Sequence, residues 1–342
     1  MLKPIIPLVV TLFVIFSFLK CNKPPQNPAS PVVYCAGVKI PSIAMLWKNN
    51  SATRIGNGYE IAEALSVNVV GNDVYVGGFE GPSVGKEIAK IWKNGVPTSL
   101  SDGTRTSYAT SVFVSGKDVY AAISDDRHIR YSKNGNIFQI DSSKDFIWGA
   151  SMYVAGSNIY IVGFKINSNH VITATIWKNG TATYLGDGIK NSFAYSIYFS
   201  GNDVYVAGTQ YREDVFGKGL PRLWKNGVVV PLSVNSEDSF ASSVFVSNQD
   251  IYVAGAERSL ISENYIAILW KNGNRISLSD GNFNEGTTSL FVSGKDVYVG
   301  GWENRILKDS STTSYGKYWK NGKAFYPAGL TDDTYIYSIF VK

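Results

Sequence analysis

Trp92-Lys93-Asn94-Gly95 recurs as Trp177-Lys178-Asn179-Gly180, Trp224-Lys225-Asn226-Gly227, Trp270-Lys271-Asn272-Gly273 and Trp319-Lys320-Asn321-Gly322. Two degenerate copies complete the series, Trp47-Lys48-Asn49-Asn50 and Ser132-Lys133-Asn134-Gly135, the second with Tyr131 just ahead of its serine. The seven asparagines stand about 45 residues apart on average, within the range of propeller blades. Asn-Gly is a strong hairpin signal, because a type I′ turn needs φ > 0 at both central residues and these two types tolerate it. Around each Asn-Gly, a unit reads as four short strands with period-2 alternation of Val, Ile, Tyr and Phe. In the second unit the strands fall at 64–70, 73–78, 88–93 and 96–100, and no helix is needed anywhere.

The ends of the body complete the argument. It opens with a second-type strand, 32–37, and the chain stops just after a first-type strand, 335–341. Pairing 335–341 with 32–37 closes a ring and removes the two open edges that a row of sheets would leave. The expected fold is all-β, a seven-bladed β-propeller with four-stranded blades over 32–342. Serine recurs at one position of the first strand in every unit: Ser66, Ser111, Ser151, Ser196, Ser243, Ser289 and Ser338. Mostly small residues stand two positions earlier. Blades converging on an axis leave room only for small side chains there, while the outer gaps accept the tryptophans, so the first strand is innermost.

Composition narrows the function. Aromatic residues make up 13% of the chain and charged residues 17%, enough to build a core and too few charges for a disordered chain. The formal charge of +5, or +3 without Lys3 and Lys20, is too mild to imply a nucleic-acid partner. Cys21 and Cys35 cannot make a disulfide framework, and with His128 and His170 they leave metal chemistry short of ligands. No cofactor and no catalytic set is expected. Residues 1–20 read as a signal peptide: Lys3, then a 15-residue apolar run from Ile5 to Leu19, shorter than the roughly 20 that span a bilayer. Residues 21–31 follow as a Pro-rich tether with Pro24, Pro25, Pro28 and Pro31.

Phe18-Leu19-Lys20-Cys21 resembles a bacterial lipoprotein signal, which implies lipidation of Cys21 and a membrane-anchored place in the cell envelope. Ordinary cleavage and an uncleaved anchor stay open, and all three put the body outside the cytoplasm. Val74-Tyr75-Val76-Gly77-Gly78 and Val297-Tyr298-Val299-Gly300-Gly301 resemble the second strand of kelch-like propellers, across a body of about 32–342. The Trp-Lys-Asn-Gly unit is similar to repeats of bacterial surface lipoproteins of unassigned function. That resemblance implies location more than activity.

Two faces follow from the topology. One carries seven repeat lysines, Lys48 to Lys320, and in five blades an aspartate lies across from the lysine: Asp73, Asp118, Asp203, Asp250 and Asp296. Rim pairing is expected there in place of an anion ring. The other face holds irregular segments such as 79–87, 164–171 and 302–315, where binding usually lives. Three positions before the repeated serine stand Tyr108, Trp148, Phe193, Phe240 and Tyr335, candidates to contact a glycan, peptide or protein, or to wedge between blades as core. The alternative is a glycan-acting hydrolase or lyase, for which Glu63 with Glu285 or Asp126 are the available acids. Asp125, Asp126 and His128 share one short loop, and Glu213 and Asp214 another. Ser-Asp-Gly at 101–103 and 279–281 reads as a turn.

Overall fold

Each Asn-Gly pair folds as expected, through two left-handed residues: Asn94 has φ +52° and Gly95 +83°. This type I′ geometry matches the twist of the flanking strands. The computed structural model describes residues 30–342 except 57, 59, 60, 126, 145, 213–217, 308 and 328–332. The signal segment, Cys21, Asp126, Glu213 and Asp214 lie outside the described residues, as does the tether apart from Ser30 and Pro31.

Among the described residues 28 strands, β1 to β28, form seven antiparallel four-stranded sheets. The second blade orders β4 (Ile61–Val70), β5 (Asp73–Gly81), β6 (Ile88–Lys93) and β7 (Val96–Ser99) from axis to rim. The first blade orders β28 (Thr334–Val341), β1 (Val33–Lys39), β2 (Ile43–Lys48) and β3 (Ser51–Arg54). Tyr34 faces Phe340 and Cys35 faces Ile339 across the closing pair, and Val32 and Lys342 extend the ladder with bonds of 2.8 and 3.0 Å. The ring is therefore closed by the tail, and the two closing strands end one or two residues from where they were expected. The fold is a seven-bladed β-propeller.

Packing follows the repeat. Trp92, Trp177, Trp224, Trp270 and Trp319 are the largest fully buried side chains, and Cys35 is a buried free thiol whose pKa is raised by burial. Every inner strand carries a bulge just before its repeated serine, where the partner register jumps from Ala64–Gly78 to Ser66–Gly77 in β4 and β5. The bulge brings the inner carbonyl close to the outer neighbour: a Cβ on Gly78 would sit 2.0 Å from Glu63 O, and one on Gly163 would sit 1.8 Å from Trp148 O. The second glycine of the Gly-Gly pair thus answers a close backbone approach, whereas the first gives way to Ala36, Val162, Ala207 and Ala254. The third blade departs from this, with Ile123 opposite Ala109. Ser66 Oγ accepts the Val112 N–H at 3.1 Å, Ser111 the Met152 N–H at 3.3 Å, Ser338 the Val67 N–H at 3.1 Å, Ser196 the Val244 N–H at 3.2 Å and Ser289 the Ile339 N–H at 3.1 Å, so in these five blades the serine stitches the inner strand to the next blade.

One expectation about the loops is corrected. Segments 79–87, 164–171 and 302–315 were expected to be irregular, but Phe79–Gly81, Phe164–Ile166, Trp302–Ile306 and Thr312–Tyr315 are paired strand. Alternation through these stretches is disguised because charged residues occupy inward positions and find partners there.

The rim forms as ion pairs. Lys93–Asp73 and Lys133–Asp118 stand at 2.8 Å, and Lys225–Asp203, Lys271–Asp250 and Lys320–Asp296 at 2.7 Å. Each repeat lysine also lies over the ring of a second-strand tyrosine, as Lys178 over Tyr160 at 5.6 Å.

Two outcomes are expected. A chain lacking residues 333–342 loses cooperative thermal unfolding, and a synthetic peptide of that segment added in trans restores it; an unchanged transition in the truncated chain contradicts closure by the tail. The second concerns acid. The five rim aspartates are held below the ordinary carboxylate range, first by the bonded lysine and then by the repeat asparagine. Their contribution is complete above the unfolded value of about 3.9 and is lost as pH falls through the lower folded values. Replacing all five with Asn should flatten the fall of urea stability below about pH 4, and an unaltered acid limb would show that the pairs contribute nothing.

Candidate functional site

The inner-strand bulge decides what faces the axis. The seven repeated serines and the seven residues just before them line a narrow axial channel of about 180 Å³. Five of those preceding residues are modest in size, Leu65, Thr110, Ala150, Ser242 and Thr288, and two are tyrosines, Tyr195 and Tyr337. Tyr195 is 37% exposed, into a space ringed by protein, and burial pushes its hydroxyl pKa upward. Tyr337 shifts the same way by burial, by the nearby Glu63 charge and by a hydrogen bond to the Glu63 carboxylate. Glu63 is itself raised by burial, with the Tyr337 bond opposing. Sequence reasoning passed over Tyr195 and Tyr337. Their signal was a large residue next to the repeated serine, visible once the bulge is known.

The five expected aromatics pack in different ways. Tyr108 and Trp148 come together at 5.3 Å between centroids, and Phe146 stacks on Trp148 at 6.5 Å. With Thr106 these three line a cleft of about 260 Å³. Burial, then the charges of Glu87 and Glu63, pushes the Tyr108 hydroxyl up to about 12. Phe193 is buried against Phe164 at 4.9 Å. Phe240 packs on Tyr265 at 5.8 Å, and Tyr335 on Trp302 at 5.8 Å. Tyr108 also meets Phe79 at 4.8 Å, so three of the five wedge against the second strand of the preceding blade.

A polar layer that the sequence did not reveal lies outside this. The second position after the close-approach glycine holds Lys39, Glu80, Lys165, Gln210, Glu257 and Glu303, with Asp125 in register in the third blade. Glu80 bonds Lys90 at 2.7 Å, Gln210 bonds Arg222 at 2.9 and 2.7 Å, and Glu257 bonds Arg275. Lys317, 2% exposed, lies between Glu285 at 2.5 Å and Glu303. Burial raises Glu285; it acts on Glu303 too, but there Lys317, Tyr326 and Arg305 prevail and hold the pKa low. Removing one partner of such a pair leaves a buried charge and costs about 3–5 kcal/mol. Of the three acids considered for hydrolysis, Glu63 is bonded to Tyr337, Glu285 to Lys317, and Asp126 lies outside the described residues.

Asp125 is fully buried and accepts bonds from Arg127 N, His128 N, His128 Nδ1 and Arg130 Nη2 at 2.8–3.1 Å. This carboxylate organises the turn in which it sits. Asp102 accepts from Thr104 N and Oγ1, and Asp280 from Asn282 N, before glycines with φ of +76° and +82°, so both Ser-Asp-Gly motifs are turns. Among the described residues no three His, Cys, Asp or Glu are grouped to hold a metal ion.

Neither a family model nor a curated protein matches the chain. Solved structures do resemble it. The β-propeller domain of the Trilobed protease from Pyrococcus furiosus, described as having an open velcro topology, superposes with a TM-score of 0.52 at 10% identity over 88% of this chain and 95% of that one. A subtype N10 neuraminidase-like protein of A/little yellow-shouldered bat/Guatemala gives 0.50 at 10% identity over 75% and 94%. A Mycobacterium tuberculosis puromycin-hydrolyzing peptidase gives 0.50 at 9% over 87% and 54%. Identities this low establish the propeller fold and nothing of activity.

Proposed function

We propose that this chain is an exported, lipid-anchored envelope protein that binds a glycan without transforming it, at the aromatic cleft of Thr106, Tyr108, Phe146 and Trp148. The observation that carries the reading is a partly open cleft of about 260 Å³ with three ring systems and Thr106 on its wall, the Thr106 hydroxyl donating to Glu87 Oε2 at 2.9 Å. A sugar offers an apolar C–H face to such rings and hydroxyls to the polar edge, a combination that fits apolar walls with few polar groups. The carboxylates near the cleft have partners that restrain them, which favours binding over turnover. Anchoring through Cys21 rests on the signal anatomy and the Pro-rich tether behind it.

A glycan-acting hydrolase is the second reading, and one observation favours it: burial raises the Glu63 pKa, as a general acid requires, and the Glu63 charge is felt at Tyr108. A glycan array on the full-length protein in detergent separates the two. Binding that falls at least tenfold in Trp148→Ala, with no product released, supports the module. Product release that disappears in Glu63→Gln supports the hydrolase, and an array without binding refutes both. For location, a labelled fatty acid fed to the producing bacterium is expected to enter the protein and to be absent from Cys21→Ser, which should move to the soluble fraction. Equal labelling in the variant would contradict lipidation at Cys21.

A further inference from the structure

The strand-entry segment Thr104 to Tyr108 is the common wall of two cavities. Thr106 and Tyr108 face the aromatic cleft, whereas Thr104, Arg105 and Ser107 face a larger cleft of about 610 Å³ between the second and third blades. This short segment leading into β8 (Tyr108–Ser115) thus separates the two clefts, with Thr106 and Tyr108 on one side and Arg105 and Ser107 on the other, so a ligand seated on Trp148 lies next to the second cleft. The far wall of that cleft is Asp125, His128 and Arg130.

The charges of the lining do not cancel in what they present. Two arginines stand against two aspartates, but Asp125 has no exposure and already accepts from four donors. What faces the space is Arg105, Arg130 and His128 against Asp102, and Asp102 Oδ1 is engaged by Thr104. Arg105 is exposed and has no ion-pair partner among the described residues. Arg130, one quarter exposed, gives Nη2 to Asp125 at 3.1 Å, and its buried Nε has no partner. A guanidinium carries five N–H donors, so most of the donor capacity of both arginines is unused while the nearby acceptors are largely taken. An unsatisfied buried donor is unfavourable, and an oxyanion in the cleft with Arg130 turned toward it would relieve this one.

We infer that the cleft between blades two and three receives an oxyanion carried by the bound saccharide, with Arg105 and Arg130 as its ligands, so that the protein selects acidic over neutral glycans. This rests on the glycan reading above and adds the charge class to it. Carboxylate and sulfate share the required chemistry, since either accepts paired N–H bonds from a guanidinium.

Calorimetry on the full-length protein in detergent tests it with three probes: a short oligouronate, the same oligosaccharide with its carboxyls reduced to alcohols, and the reduced form bearing sulfate esters. At least one anionic probe should bind about tenfold tighter than the neutral one, a difference of about 1.4 kcal/mol. Raising the salt concentration should shrink that ratio, and Arg105→Ala, a change at an exposed side chain, should bring it near unity. Whichever anion is preferred identifies its source. Equal binding of all three overturns the inference and leaves the glycan reading standing. An anionic preference that survives Arg105→Ala and Arg130→Lys also overturns it, because the charge is then read elsewhere. Failure of all three to bind overturns both.

Discussion

The inner-strand bulge governs the rest of this structure. By opposing two residues to one, it brings a carbonyl within reach of the neighbouring strand, and at Gly78 and Gly163 the approach leaves no room for a Cβ. It also turns the repeated serine sideways, so that Ser66 accepts from Val112 and Ser338 from Val67 in the next blade. A single local irregularity thereby sets blade contact near the axis and the lining of the channel. The outer part of each wedge is filled by tryptophan, which is why one motif carries Trp for the gap, Lys for the rim and Asn-Gly for the turn.

Burial of charge is the second organising feature. Most propeller gaps could be filled with apolar residues, yet Glu80, Asp125, Glu257 and Glu303 are at most 1% exposed. Each is matched by a cation of the same blade, Lys90, Arg130 and Lys317 from the neighbouring strand and Arg275 from β23 (Asn274–Ser277), two strands away from Glu257. Pairs of this sort are weak evidence for stability, because desolvation offsets the attraction. Their consequence is geometric: they hold Arg130 and Lys317 at the walls of two clefts, both edged by a Ser-Leu-Ser-Asp-Gly turn at 99–103 and 277–281. In one cleft the cation keeps unused donors, and in the other Lys317 is shared by two carboxylates.

The ring of this chain is closed by its own two ends. Here β28 and β1 join the first and last residues of the body into one sheet. Contacts of that kind are distant in sequence and form late or slowly, so the ring has every blade held on both sides only once the tail has docked.

The seven units, their four strands, the tail-to-head pairing, the buried tryptophans and the rim pairs were legible from residues alone. All of them repeat, and each copy is set by local chemistry: turn residues with φ > 0, alternation, and a lysine facing an aspartate across a hairpin. The candidate site was legible only in part. Tyr108 and Trp148 were named, but their meeting, and the retreat of Phe193 into the core, depend on side chains from adjacent blades. Tyr195 and Tyr337 face the axis because one bulged residue reverses the expected alternation. Glu80 and Glu303 are inside because a partner lies across the strand, and Arg105 shares a cleft with Arg130 because two blades are packed side by side. Periodicity reports what each blade does for itself; tertiary structure alone decides what neighbouring blades present to the space between them.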